Sequence, residues 1–246
     1  PGVTGHQHQW CDLTCGSGAT YFLTSLLDAP GFTPEHLKRM TRIGLGGAPV
    51  PAAISDRADS LGISIVRSYG STEHPSSTGA KHEEPAVKRK YTDGRALWGV
   101  ELKLVDEDGN EVPLGQPGEI LSRGPDRFVG YTDPALSASA LDVEGWYATG
   151  DIGVLDADGY LTITDRKKDI IIRGGENVSA AEVEEILMRM PGVTEVAVVA
   201  APDARFGEHA CACVRMQPGH APPDLDALRA HFAAAGLAKQ KWPEEI

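Results

Sequence analysis

The run Ile63-Ser64-Ile65-Val66-Arg67-Ser68-Tyr69-Gly70-Ser71-Thr72-Glu73 sets a β-branched stretch directly before a polar loop. Ile63 to Val66 reads as a buried strand, and Ser68 to Glu73 as the loop leaving its carboxyl end. In an open α/β sheet, ligands bind at such a place. Gly70 lets the backbone approach a ligand. Tyr69 offers a flat face for a base, Thr72 a hydroxyl for a phosphate and Glu73 a hard oxygen for Mg²⁺. Alone, the run also reads as a polar turn after a strand.

Working outward, the region before it alternates helix and strand. Thr33 is placed to cap a helix with Pro34 at its first position. Arg42 to Leu45 reads as a strand ending in Gly46-Gly47, and Pro51 to Leu61 as a helix. This β-α-β rhythm predicts a parallel sheet with covering helices. The region after it reads differently. Val100 to Val105, Gly118 to Ser122 and Ile152 to Thr164 read as strands, with hairpin turns at Asp108-Gly109 and Asp158-Gly159. Their close spacing suggests an antiparallel or barrel-like subdomain. From Ile170 the chain reads as a small α+β unit. Ser179 and Glu182 make a capping box, and Val183, Ile186, Leu187 and Met190 form one helical stripe, ended by Pro191-Gly192. Val196 to Ala200 reads as a buried strand and Cys211 to Met216 as another. Leu225, Leu228 and Phe232 line a final helix closed by Gly236. The charged run Asp165 to Asp169 is a plausible boundary.

Composition excludes several classes. The 246 residues are 41% hydrophobic and 24% charged, as is ordinary for a soluble globular protein, and the α/β fold class rests on the strand and helix rhythm. No apolar run approaches the roughly 18 residues that span a bilayer, and the first residues have no signal-peptide pattern. The start at Pro1, without an initiator Met, suggests that the sequence begins inside a longer protein. The net charge of −12 repels phosphate backbones, so nucleic acid is not an expected partner. A phosphorylated ligand then needs local donors or a metal. Four cysteines are too few for a disulfide scaffold, which points to a cytoplasmic setting.

Two further motifs join the first. In Gly145-Trp146-Tyr147-Ala148-Thr149-Gly150-Asp151, Asp151 is suited to both hydroxyls of a ribose, though the same spacing suits a plain Asp turn. In Asp165-Arg166-Lys167-Lys168-Asp169, Arg166 can fork onto a phosphate or ribose oxygen. Downstream, Arg173-Gly174-Gly175-Glu176-Asn177 gives a backbone that another molecule can approach. A solvated charge run and a Gly-rich turn are the plain alternatives. With Gly46-Gly47-Ala48-Pro49 and Gly118 through Arg123-Gly124-Pro125 to Gly130-Tyr131, these motifs form an ordered set. That order resembles the adenylate-forming enzyme superfamily of acyl-CoA synthetases, luciferases and peptide-synthetase adenylation domains. It looks most like bacterial fatty-acyl or alicyclic acid–CoA ligases.

The resemblance runs from about residue 15 to the end. It implies an ATP-dependent acid–CoA ligase that makes an acyl-adenylate and then a thioester, with ATP/AMP, Mg²⁺ and coenzyme A as cofactors and a small carboxylic acid as substrate. By similarity, Tyr69 stacks on the adenine, with Gly46, Gly47 and Ala48 along its edge and Gly70 and Ser71 in the same nucleotide loop. Thr72 contacts the α-phosphate and Glu73 holds Mg²⁺. Asp151 takes the ribose hydroxyls and Arg166 a ribose or phosphate oxygen. Lys168 sits at the family's domain hinge, and Gly174, Gly175 and Glu176 line the pantetheine tunnel. The resemblance implies that residues 1–167 are the C-terminal part of the large AMP-binding domain and 168–246 a small mobile domain. It leaves room for a homo-oligomer.

The family's phosphate loop is not found in these residues, and Gly16-Ser17-Gly18 is too short to stand for it. The family's catalytic Lys falls after the last residue, so Lys239 and Lys241 are not assigned to it. The expectation is therefore the C-terminal half of such an enzyme. An adenylation domain that loads a carrier protein, or a non-catalytic nucleotide- or acyl-binding fragment, are the alternatives. Other features are set aside. His6, His8, Cys11 and Cys15 have zinc-ligand types, Cys211 and Cys213 read as buried small apolar residues on one strand face, and His74 has no family role.

Overall fold

The computed structural model describes residues 15–37 and 39–246. The chain divides into two compact units, one of residues up to 149 with 153–163, the other of 150–152 with 164–246.

In the first unit, β1 (Cys15–Gly18), β2 (Arg42–Leu45) and β3 (Ser64–Tyr69) lie side by side in parallel. Short β4 (Thr78–Gly79) extends this sheet antiparallel to β3, and β5 (Arg95–Ala96) pairs antiparallel to β4. Ile43, Leu45, Ile63 and Ile65 project into a core with Leu23, Leu26 and Leu27 of α1 (Thr20–Leu27) and Ala58 of α2 (Ala52–Ser60). Each fully buried aliphatic side chain contributes about 1.5–3 kcal/mol. The helix expected after Thr33 is a 3₁₀ turn, Pro34–Leu37, and the His36 ring accepts the Thr33 N–H at 2.9 Å.

The second sheet runs in chain order through β6 (Glu101–Val105), β7 (Pro117–Arg123), β8 (Tyr147–Leu155) and β9 (Leu161–Arg166). It is an open four-stranded sheet, so the barrel-like expectation resolves to an unclosed one. Its turns share one device. Asp106, Asp142 and Asp156 each accept two backbone N–H groups with one carboxylate oxygen. Three residues on, Gly109, Gly145 and Gly159 take positive φ of 82°, 85° and 79°. Asp93, two residues after α3 (Ala86–Tyr91), pairs with Arg67 of β3. Its Oδ1 accepts from Arg67 at 2.7 Å and its Oδ2 from the Ile163 N–H of β9 at 2.9 Å. At Gly94, φ is 87° and an added Cβ would lie 2.0 Å from the Gly79 carbonyl carbon, so no side chain fits.

In the second unit, β10 (Ile171–Arg173), β11 (Glu176–Val178), β12 (Val193–Asp203) and β13 (Gly207–Met216) form an antiparallel sheet in the order β11-β10-β13-β12. Its core takes Val183 and Leu187 of α5 (Ala180–Leu187) and Leu228 and Phe232 of α6 (Leu225–Ala235). Ser179 caps α5 by accepting the Glu182 N–H at 2.9 Å. Only half of the expected box forms, since the Glu182 carboxylate pairs with Lys241. Two further expectations change. β12 is an edge strand on which only Val198 is buried. On β13 the inward face is Ala210 and Ala212, so Cys211 is half-buried and Cys213 exposed. No helix among the described residues is long and apolar enough to cross a membrane.

Candidate functional site

A cleft of about 720 Å³ opens in the first unit at the carboxyl ends of β1, β2 and β3. Gly18, Gly46, Gly47, Tyr69, Gly70, Ser71 and Thr72 are on its wall. Three parallel strands ending together is the arrangement in which α/β sheets bind ligands. The glycines serve distinct purposes. Gly47, with φ of 74° and open space beside it, lets the chain turn. Gly46 lies against β3, where an added Cβ would be 2.9 Å from the Ser68 carbonyl oxygen. At Gly70 an added Cβ would be 2.0 Å from the Pro75 carbonyl oxygen. The group that closes on Gly70 is thus the protein's own backbone. The turn is tied by the Ser71 N–H donating to the His74 carbonyl and the His74 N–H donating to Ser71 Oγ.

Tyr69 is 8% exposed and packs with Leu104, Ile120 and Leu161 as well as bordering the cleft. Thr72 is exposed, and so is Ala48 on the segment after Gly47. Glu73 is half-buried. Burial opposes its charge, but the Tyr131 hydroxyl, its own backbone N–H and the hydroxyls of Ser71 and Tyr147 outweigh that and hold its carboxyl below the usual range. The Tyr131 hydroxyl donates to Glu73 Oε1 at 2.9 Å. Burial pushes the Tyr131 and Tyr147 hydroxyls up, aided by the Glu73 charge, so both stay protonated donors.

In the second unit, Asp151 is buried on β8 just after Gly150, whose φ is 73°. Asp151 thus lies within a continuous strand, and not in the plain Asp turn that the spacing also allows. Arg166 Nε donates to Asp151 Oδ1 at 2.9 Å, so two residues assigned separately to a nucleotide are paired. Lys168 is exposed on a one-turn 3₁₀ helix, Lys167–Asp169. Gly174 and Gly175 join β10 to β11 with φ of 60° and 89°. Two positive-φ residues are what a tight hairpin requires. Gly174 is also pressed against Phe206, which is stacked under the Arg173 guanidinium at 4.1 Å. Glu176 is exposed. Asp165 is mostly buried, with Oδ1 unpartnered among the described residues, and burial pushes its carboxyl up.

Comparison with known proteins decides the family. A family model described as AMP-binding enzyme matches residues 10–132, and one described as AMP-binding enzyme C-terminal domain matches residues 182–246. The chain belongs to the AMP-binding enzyme family. The medium-chain fatty-acid–CoA ligase of Escherichia coli (strain K12) is 42% identical over 234 residues, which cover 95% of this chain and 41% of that protein. ATP-bound MatB from Rhodopseudomonas palustris superposes with a TM-score of 0.88 at 33% identity, covering 97% of this chain and 47% of that one. O-succinylbenzoate coenzyme A synthetase (MenE) from Bacillus subtilis, in complex with ATP and a magnesium ion, gives 0.79 at 31% identity, covering 95% and 47%. The chain therefore spans less than half the length of these relatives.

Of the AMP-binding residues expected from sequence, Gly46, Gly47 and Tyr69 to Thr72 come together on one cleft. Among the described residues no group of three or more His, Cys, Asp or Glu could hold a metal. His6, His8 and Cys11 lie outside the described residues. Glu73 alone still fits Mg²⁺, which is bound through one or two carboxylates together with phosphates and waters. Sequence reasoning left Tyr131, Tyr147 and His74 without roles. Their partners are 48 to 74 residues away, so no local spacing could have marked them.

Proposed function

We propose that the protein carrying this chain is an ATP-dependent acid–CoA ligase. One observation carries the reading: the cleft at the ends of three parallel strands, walled by Gly46, Gly47, Tyr69, Gly70, Ser71 and Thr72. The first reaction joins a carboxylate to the α-phosphorus of ATP and releases pyrophosphate. In the second, the CoA thiol attacks the acyl carbon and AMP leaves. Such chemistry needs positioning and charge neutralisation more than covalent help. Tyr69 and the Gly46–Ala48 segment hold the base, and Thr72 donates to the α-phosphate. Glu73, kept ionised, would hold Mg²⁺ with the phosphates, and the ion would neutralise charge on them. Asp151 takes the ribose hydroxyls, and Arg166, already on Asp151, orients that carboxylate and reaches a ribose or phosphate oxygen. Lys168 acts as a hinge between domains ending and starting near residues 167 and 168, and Gly174, Gly175 and Glu176 border the path of the CoA arm. The substrate is a fatty or alicyclic acid, a reading supported by the medium-chain ligase of E. coli.

The protein incubated with ATP, Mg²⁺, CoA and a medium-chain or alicyclic acid is expected to form AMP, pyrophosphate and the acyl-CoA in equal amounts, read by mass spectrometry. Formation of ADP, or of no thioester with any acid, contradicts the proposal.

A further inference from the structure

Glu73 and His74 are stitched to the end of β7 at Ser122 and to the loop that follows it as far as Tyr131. The Phe128 N–H donates to the Glu73 carbonyl at 2.7 Å, and the Tyr131 hydroxyl to the Glu73 carboxylate at 2.9 Å. His74 is 1% exposed. Its Nδ1 lies 2.9 Å from Ser122 Oγ, and its Nε2 3.1 Å from Asp126 Oδ1, off the line of a good hydrogen bond. Gly124 closes on the same ring, since an added Cβ there would be 2.9 Å from Nε2. The Phe128 ring packs edge-on against Tyr131 at 4.8 Å and Tyr147 at 5.4 Å.

A free glutamate side chain has three rotatable bonds, and ordering it costs free energy when it binds a ligand. Mg²⁺ demands near-octahedral geometry, so a single carboxylate must arrive in the right orientation. The hydrogen bond from Tyr131 removes that freedom in advance.

We propose that Tyr131 is a positioning residue for Glu73, holding its carboxylate in the orientation that takes the divalent cation, and that His74 locks the Tyr131 loop through Ser122 and Asp126. This rests on the assignment of Glu73 to the nucleotide's cation. Tyr131 acts only through Glu73, so its loss alters the cation response and not the base and sugar contacts.

Tyr131→Phe decides the matter, because it removes one oxygen from a partly exposed ring and leaves the packing. Calorimetric titration of ATP across a Mg²⁺ series is expected to show the half-effective Mg²⁺ concentration raised by up to about tenfold in Y131F, the scale of ordering one rotamer-rich side chain. AMP affinity without metal should stay the same. With Mn²⁺ in place of Mg²⁺, electron paramagnetic resonance should show a smaller bound fraction in the presence of ATP. His74→Ala should share the defect and His74→Gln, which keeps a polar group for Ser122, should restore most of the response. A wild-type Mg²⁺ response in Y131F overturns the inference and leaves Glu73 in place. A wild-type chain whose ATP binding ignores Mg²⁺ overturns the Glu73 assignment and the inference with it.

Discussion

At Gly70 the structure and the simplest reading of the residue part company. A glycine in a loop after a strand suggests room for a ligand, yet the space is filled by the Pro75 carbonyl. Gly70→Ala is expected to destabilise the first unit by about 3 kcal/mol or more, because backbone must move. Gly47→Ala, with open space but φ of 74°, should cost only about 1–2 kcal/mol. Urea unfolding of the two variants separates them, and equal losses would contradict the account. The residue types of the candidate site were legible in the sequence as motifs. What each residue touches was not, because Tyr131 meets Glu73 only after α3 and the four strands β4 to β7 intervene.

Between elements, two buried groups carry consequences. Asp93 joins β3 to β9 through Arg67 and the Ile163 N–H. Asp93→Ala leaves the largely buried Arg67 unpaired and is expected to cost about 3–5 kcal/mol in chemical denaturation. Asp165, next to the start of α5, and Glu184 on α5 both have carboxyls pushed up, by burial first. A raised carboxyl favours the folded state fully below its ordinary value near 4, and that contribution is lost as pH rises through the raised value. Asp165→Asn should therefore gain on wild type as pH rises from about 4 toward neutrality, measured as the difference in urea midpoint. A difference that shrinks over that range would contradict it. Elements marked by local chemistry were legible from sequence: the Ser179 cap, the Gly236 stop and the stripe on α5. Elements decided by neighbours were not. β12 has the composition of a buried strand, but its place at the sheet edge exposes it. The hairpin turns were found through Gly109 and Gly159, while the residue that fixes them is the Asp three positions earlier, whose carboxylate gathers the N–H groups.

For the whole molecule, the net charge of −12 opposes any polyphosphate. Chelating divalent cations should thus weaken ATP binding far more than AMP binding, and equal loss would count against a cation on Glu73. At the centre stands the proposal that this chain binds AMP and that Asp151 takes the ribose hydroxyls. Titrating AMP into the chain and into Asp151→Ala by calorimetry tests it most directly. Micromolar binding by the wild type, lost in a variant that remains folded, is the predicted result. A folded wild-type chain that does not bind AMP, or a variant that binds as well as wild type, would contradict it.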